Sequence, residues 1–207
     1  MIKCITFDCD GTLVDSEMLF NQALSNKLAE RGIDISAARL VERFRGVKFM
    51  DVLRTLEQEN GLSLGNAFVD SYRELVRDLF EQELVACDGV AETLVQLKTA
   101  MCVATNGPLA KMQQALRVTG LAHHFNENLF SAYEIGAWKP NPTLFLHASK
   151  TMGFKANECL VVEDSLVGIE AALSANMKAV LFDPHGIHSD IDGVTRVSKF
   201  NEIMSHL

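Results

Sequence analysis

The stretch Ile2-Lys3-Cys4-Ile5-Thr6-Phe7 runs straight into Asp8-Cys9-Asp10-Gly11-Thr12, and this junction decides how the rest of the chain is read. Residues 2–7 are apolar or β-branched apart from Lys3 and too few for an ordinary helix, which marks a buried parallel strand. Asp8 and Asp10 follow at once, and residues two apart at the end of a strand point the same way. Two carboxylates that close resist ionising together unless a cation is near. Gly11 then permits a sharp turn, because it has no Cβ to clash. Taken alone, Asp-x-Asp after a strand also fits a solvated turn or a helix cap.

Further along, the same texture recurs. Short apolar runs at 101–104, 160–162 and 179–182 read as more buried strands. Between them, 90–98 carries Val90, Leu94 and Leu97, and 109–118 carries Leu109, Met112 and Leu116, all at helical spacing. Strands alternating with helices of this length predict an α/β fold, a Rossmann-like parallel sheet covered on both faces. Residues 16–86 break the rhythm. They show no convincing strand, only helical faces such as Phe20, Leu24 and Leu28, then Phe68, Tyr72, Leu75, Val76 and Leu79. The spacing predicts an all-α module at 16–86 inserted into a core formed by 1–15 and 87–207, with hinges near 14–16 and 86–89.

The 207 residues fit one domain or a domain with an appendage and suffice to bury about 70% of the unfolded surface. Lys and Arg total 19 against 27 Asp and Glu, a formal charge of −8. Such a chain gains nothing from a phosphate backbone or an anionic lipid, so neither nucleic acid nor a membrane is an expected partner. An anionic substrate would have to meet a local cation or a metal. Five cysteines with no C-x-x-C fit a reducing compartment. Cys4, Cys102 and Cys159 lie in or beside apolar runs, as small hydrophobes do. The apolar start is shorter than the about 7–15 residues of a secretory core, and no run approaches the about 18 that span a bilayer. The expectation is a cytoplasmic protein, monomeric or at most a weak dimer.

Three more segments place polar chemistry near the ends of these runs. Thr105-Asn106-Gly107-Pro108 follows 101–104, with Pro108 set to open a helix. Thr and Asn are ordinary caps there, yet the exposed N–H groups of a helix start also bind anions. Lys139-Pro140 supplies a cation after the bulky Trp138, and Glu163-Asp164-Ser165 ends the run 160–162, where adjacent carboxylates cap a helix or bind a metal. Each has a bland reading by itself. In open α/β sheets, however, the binding crevice lies at the carboxyl ends of the strands, so all four segments can converge there.

In that order, Asp8-x-Asp10-Gly11-Thr12, Thr105-Asn106, Lys139-Pro140 and Glu163-Asp164-Ser165 resemble the four motifs of the haloacid dehalogenase-like phosphohydrolases, in their phosphatase and β-phosphoglucomutase branch. Leu13-Val14-Asp15-Ser16-Glu17 and Val167-Gly168-Ile169-x-Ala171-Ala172 extend the likeness over essentially the whole chain, with 16–86 as a helical cap. The resemblance implies a Mg²⁺-dependent phosphatase acting on a small phosphorylated metabolite, a sugar phosphate or a sugar-acid phosphate such as 6-phosphogluconate. By the same likeness Asp8 is the nucleophile that forms an aspartyl-phosphate, and Asp10 is the general acid and base. Magnesium would rest on Asp8, the Asp10 carbonyl and Asp164, with Glu163 assisting directly or through water. Cys9 is no ligand for so hard a cation and would offer its backbone N–H to phosphate. Thr105 and Asn106 would bind phosphoryl oxygens, and Lys139 would balance charge between Asp8 and the transferred group.

Two departures from the family pattern are informative. Phe20 stands where β-phosphoglucomutases place a cap histidine, which favours hydrolysis over mutase chemistry. Asn176 replaces a glycine beyond the last motif's helix, and Asn is the residue next most willing to adopt the left-handed turn. Arg45-Gly46-Val47-Lys48 resembles the cap segment that faces the catalytic cleft. Arg45 and Lys48 either bind an anionic or polyhydroxylated substrate or form a solvated basic turn. His123, His124, His185 and His188 lack ligand spacing and are expected at the surface. A non-catalytic phosphate sensor is the alternative from another class, and the second carboxylate, Asp10, argues against it.

Overall fold

The computed structural model describes residues 1–44, 47 and 49–207; Arg45 and Lys48, the candidate cap contacts, lie outside the described residues. The chain begins with β1 (Cys4–Phe7), followed by α1 (Glu17–Ala29), α2 (Ala37–Phe44), α3 (Phe49–Asn60) and α4 (Gly65–Glu83). Then come α5 (Val90–Gln96), β2 (Ala100–Thr105), α6 (Leu109–Val118), β3 (Leu129–Ser131), α7 (Ala132–Ile135) and α8 (Thr143–Thr151). The last elements are β4 (Cys159–Glu163), α9 (Leu166–Ser174), β5 (Lys178–Phe182) and β6 (Thr195–Val197).

Two compact units result, Met1–Asp15 with Val85–Leu207, and Ser16–Leu84. Val85 and Ala86 fall in the first unit because the chain leaving β1 and the chain returning to it are bonded together. Val14 bridges Ala86, the Asp15 N–H donates to the Val85 carbonyl at 3.0 Å, and the Cys87 N–H donates to the Leu13 carbonyl at 3.0 Å.

The first unit is built on a six-stranded sheet of order β3-β2-β1-β4-β5-β6 in which every pairing is parallel. Phe7 aligns with Val103 on one side and Val162 on the other. The chain steps from β1 out to β3, then returns to lay β4 on the opposite flank of β1. Strand order therefore reverses at β1, and the crevice beyond the carboxyl ends of β1, β2 and β4 is the switch point of the sheet.

Alternation along β1 sends Cys4 and Thr6 to one face and Ile5 and Phe7 to the other. On the first face Cys4, Cys102, Cys159 and Val161 pack with Leu144, Phe145 and Ala148 of α8 and with Ala171 and Ala172 of α9. These thiols are free and buried, and they fill the core as small hydrophobes. On the second face Phe7 meets Phe125 edge-on at 6.0 Å and stacks on Phe200 at 5.9 Å, while Phe182 meets Phe200 at 5.3 Å. Such ring pairs contribute about 0.5–1.5 kcal/mol each beyond the area they bury.

The second unit consists of α1 to α4, and α1 packs on both α2 and α4. Leu24, Leu28, Leu40, Leu56, Phe68 and Phe80 are buried within it. Phe20 lies 5.4 Å from Phe80, and Phe49 stacks on Tyr72 at 4.4 Å. No described helix is long and apolar enough to cross a membrane.

Candidate active site

β1 delivers Asp8 to the switch point. The Asp8 N–H continues the ladder, donating to the Val162 carbonyl at 2.9 Å, so the residue is fixed by the sheet while its side chain passes beyond it. The turn that follows is closed by the Cys9 carbonyl, which accepts from Leu13 and Val14 at 2.9 and 3.1 Å. Gly11 sits at φ +80, and a Cβ there would run into the carboxyl of Asp164. The glycine thus serves two needs, a left-handed backbone and room for the carboxylate of Asp164, just beyond β4. Thr12 completes the approach by donating its hydroxyl to Asp164 Oδ1 at 3.0 Å.

Lys139 enters from the loop after α7 and is buried. Its ammonium lies 2.5 Å from Asp8 Oδ1 and 2.6 Å from Glu163 Oε1. The loop is held by Asn106, whose side-chain oxygen accepts the Lys139 N–H at 2.8 Å and whose amide donates to the Lys139 carbonyl at 3.4 Å. Asn106 therefore clamps the lysine loop, a task that nothing in its local sequence announces. Thr105 is buried at the end of β2 and its hydroxyl oxygen accepts the Gly107 N–H at 3.0 Å.

Glu163 is pinned from both ends. Its Oε2 accepts the Ser165 N–H at 3.0 Å and the Ser165 hydroxyl at 2.7 Å. Ser165 in turn caps α9 by accepting the Gly168 N–H at 3.1 Å. A Cβ built on Gly168 would collide with the Glu163 carboxyl. Because Lys139 and Ser165 leave that carboxyl nowhere to go, Gly168→Ala should cost about 1–3 kcal/mol by overpacking. Urea unfolding would show it as a lower midpoint, and an unchanged midpoint would mean that Glu163 is less tightly held than described.

Charge sets the character of the cluster. Burial pushes the Asp8 carboxyl up to about 7, Glu163 and Asp10 push in the same direction, and the Lys139 ammonium opposes them. Burial likewise drives Asp164 well above the usual carboxylate range, helped by Glu163 and Asp8. For Lys139 burial favours the neutral amine, but the charges of Asp8 and Glu163 outweigh it and keep the ammonium. Oxygens of Asp8, Glu163 and Asp164 all lie within 4.8 Å of one another. Three carboxyl groups thus share one ammonium. An all-oxygen donor set short of positive charge fits a hard divalent cation such as Mg²⁺, and Asp8, Glu163 and Asp164 are the side chains that would hold it. Burial raises the Cys9 thiol well above its usual range, in keeping with a packing role.

Two participants were not singled out from the sequence. Lys111, on α6, places its ammonium 2.5 Å from Asp10 Oδ2. His188 was expected at the surface but is half-buried, with Nε2 2.9 Å from the Asp164 carbonyl. Its loop is anchored by Asp183, a buried carboxylate that accepts the N–H groups of Ile187 and His188, both at 3.0 Å. Asn176 takes φ 56, the left-handed conformation expected of it.

Comparison with known proteins places the chain in a family. The sequence profile of the haloacid dehalogenase-like hydrolases matches residues 2–176. The 6-phosphogluconate phosphatase of Escherichia coli K12 is 36% identical over 98% of this chain and 94% of its own length. Among solved structures, a conserved haloacid dehalogenase-like protein from Agrobacterium tumefaciens superposes with a TM-score of 0.86 at 30% identity, covering 100% of this chain and 97% of that one. A HAD-family hydrolase from Deinococcus radiodurans, solved with bound phosphate and sodium, gives 0.79 at 28% identity, covering 99% and 94%. With the profile spanning most of the chain and the likeness running end to end, the protein belongs to the haloacid dehalogenase-like hydrolase family.

Proposed function

We propose that this phosphatase hydrolyses a small sugar phosphate or sugar-acid phosphate, with 6-phosphogluconate the first candidate, through an aspartyl-phosphate on Asp8. The observation that carries the proposal is a buried carboxylate at the end of β1, met by an ammonium at 2.5 Å and by two further carboxylates. The substrate class rests on the E. coli relative, whose name specifies 6-phosphogluconate.

In the first half-reaction an Asp8 oxygen attacks phosphorus, and the bond from phosphorus to the alcohol oxygen breaks. Asp10 gives its proton to that departing oxygen. In the second, Asp10 takes a proton from water as the water oxygen bonds to phosphorus, freeing phosphate and regenerating Asp8. Lys139 orients the Asp8 carboxylate and opposes the charge that builds beside it. Thr105, the N–H groups at the start of α6 and the Cys9 N–H would bind phosphoryl oxygens. A divalent cation on Asp8, the Asp10 carbonyl, Glu163 and Asp164 would screen the remaining negative charge. Phe20 offers no proton-transferring group, which supports hydrolysis over the transfer that a mutase performs.

The proposal is tested by phosphate release from a panel of phosphorylated sugars and sugar acids, with Mg²⁺ and with a chelator. Release from 6-phosphogluconate that the chelator abolishes is the expected result. A cation bound only by the folded site also raises stability, by about 2.7 kcal/mol at a hundredfold excess over Kd. Asp164→Asn should remove most of that rise in thermal unfolding. Cation-independent turnover, together with an unfolding midpoint that Mg²⁺ leaves unmoved, would contradict the reading.

A further inference from the structure

Lys111 reaches from α6 across to the turn beyond β1, a partner 101 residues away in sequence, and lies 2.5 Å from Asp10 Oδ2. The pair is partly wetted, with side-chain exposures of 21% and 24%. Ion pairs in contact with water add little to folding, so stability is a poor explanation for it. The path of the lysine is specific. A Cβ at Gly107 would stand 3.0 Å from Lys111 Cε and 3.1 Å from Nζ, tighter than ordinary contact. Gly107 is absent from the left-handed glycines of this chain, so its backbone suits alanine, and the missing side chain is accounted for by the passage of Lys111. Gly107 is itself fixed, donating to Thr105 Oγ1 at 3.0 Å and accepting from Ser131 Oγ at 2.7 Å.

An acid that becomes a base within one catalytic cycle must keep its carboxyl aimed at two successive oxygens, and misplacement is costly. We infer that Lys111 is the positioning residue for Asp10: its ammonium holds Oδ2 and so fixes the plane in which the carboxyl meets the leaving alcohol and then the attacking water. Lys111 keeps its proton throughout; the proton that moves goes from Asp10 to the alcohol oxygen, and a second moves from water to Asp10. The inference rests on the proposed role of Asp10 as acid and base.

The test uses Lys111→Met, Lys111→Arg, Gly107→Ala and, as a control, Asp10→Asn, each assayed on 6-phosphogluconate and on p-nitrophenyl phosphate. The nitrophenolate leaves without needing a proton, so only its second half-reaction depends on Asp10. For Lys111→Met the kcat on 6-phosphogluconate should fall about 10–100-fold with KM moving less than about threefold, and the unfolding midpoint should stay in place. On p-nitrophenyl phosphate the first turnover should stay fast and later ones slow, giving a burst and phosphorylated protein. Lys111→Arg should recover most of the loss, and Gly107→Ala should fall between wild type and Lys111→Met. Wild-type kcat in Lys111→Met, or a rise in KM alone, would overturn the inference. So would equal slowing of first and later turnovers on both esters. If Asp10→Asn retains full turnover, the acid–base reading itself fails; if it is inactive while Lys111→Met is not, only the positioning role fails.

Discussion

Asp8→Asn should lose turnover by at least about 10⁴-fold while remaining fully folded. The amide has nearly the shape of the carboxylate, and its oxygen can still accept from Lys139, which lies 2.5 Å away. What it lacks is an anionic oxygen able to bond to phosphorus. Removing one of three crowded carboxyls also relieves like-charge repulsion in the buried cluster, so the unfolding midpoint should hold or rise. The combination of dead chemistry and undiminished stability marks a functional carboxylate rather than a structural one. Residual activity within tenfold of wild type would remove Asp8 from the chemistry.

Lys139→Met should lower both stability and turnover. The ammonium is the charge shared by Asp8 and Glu163, at 2.5 and 2.6 Å, and all three side chains are buried. Truncating one partner of such a set leaves buried charge uncompensated, which costs about 3–5 kcal/mol. Turnover should fall by about 10²–10³-fold in addition, as it does when one donor is taken from a preorganised charge-stabilising site. The two effects separate in the double variant Lys139→Met with Glu163→Gln, which removes one of the stranded charges. Part of the stability should return there, and none of the activity. A Lys139→Met protein as stable as wild type would mean that the cluster is neutralised in some other way.

Much of this was legible because parallel strands buried on both faces leave uninterrupted apolar runs, and Asp8, Thr105 and Glu163 each stand where such a run ends. β3 and β6 escaped notice for the same reason in reverse. Each has three residues, and Thr195 and Arg196 of β6 are exposed, so neither writes a run. Lys139 could be picked out beside its proline, but its placement depends on Asn106, 33 residues earlier, through bonds with no local pattern. Lys111 reads as an ordinary polar position between Leu109 and Met112. Only the tertiary fold shows that it turns inward over Gly107. His188 is hidden in the same way, since its partner is a backbone carbonyl 24 residues distant. The helical texture of Ser16–Leu84 was plain from its spacing, whereas Val85 and Ala86 join the sheet unit through backbone bonds that side-chain patterns do not record.

The central claim is that one carboxyl group becomes phosphorylated, as an acyl phosphate on Asp8. It is tested most directly by mixing the enzyme, and the Asp10→Asn variant in which the second half-reaction is slowed, with p-nitrophenyl phosphate, quenching in acid and reducing with borohydride. Acyl phosphates are converted to the alcohol, so peptide mass spectrometry should find homoserine at position 8, dependent on substrate and enriched in Asp10→Asn. Finding the modification at another residue, or at none while phosphate is released, would contradict the account.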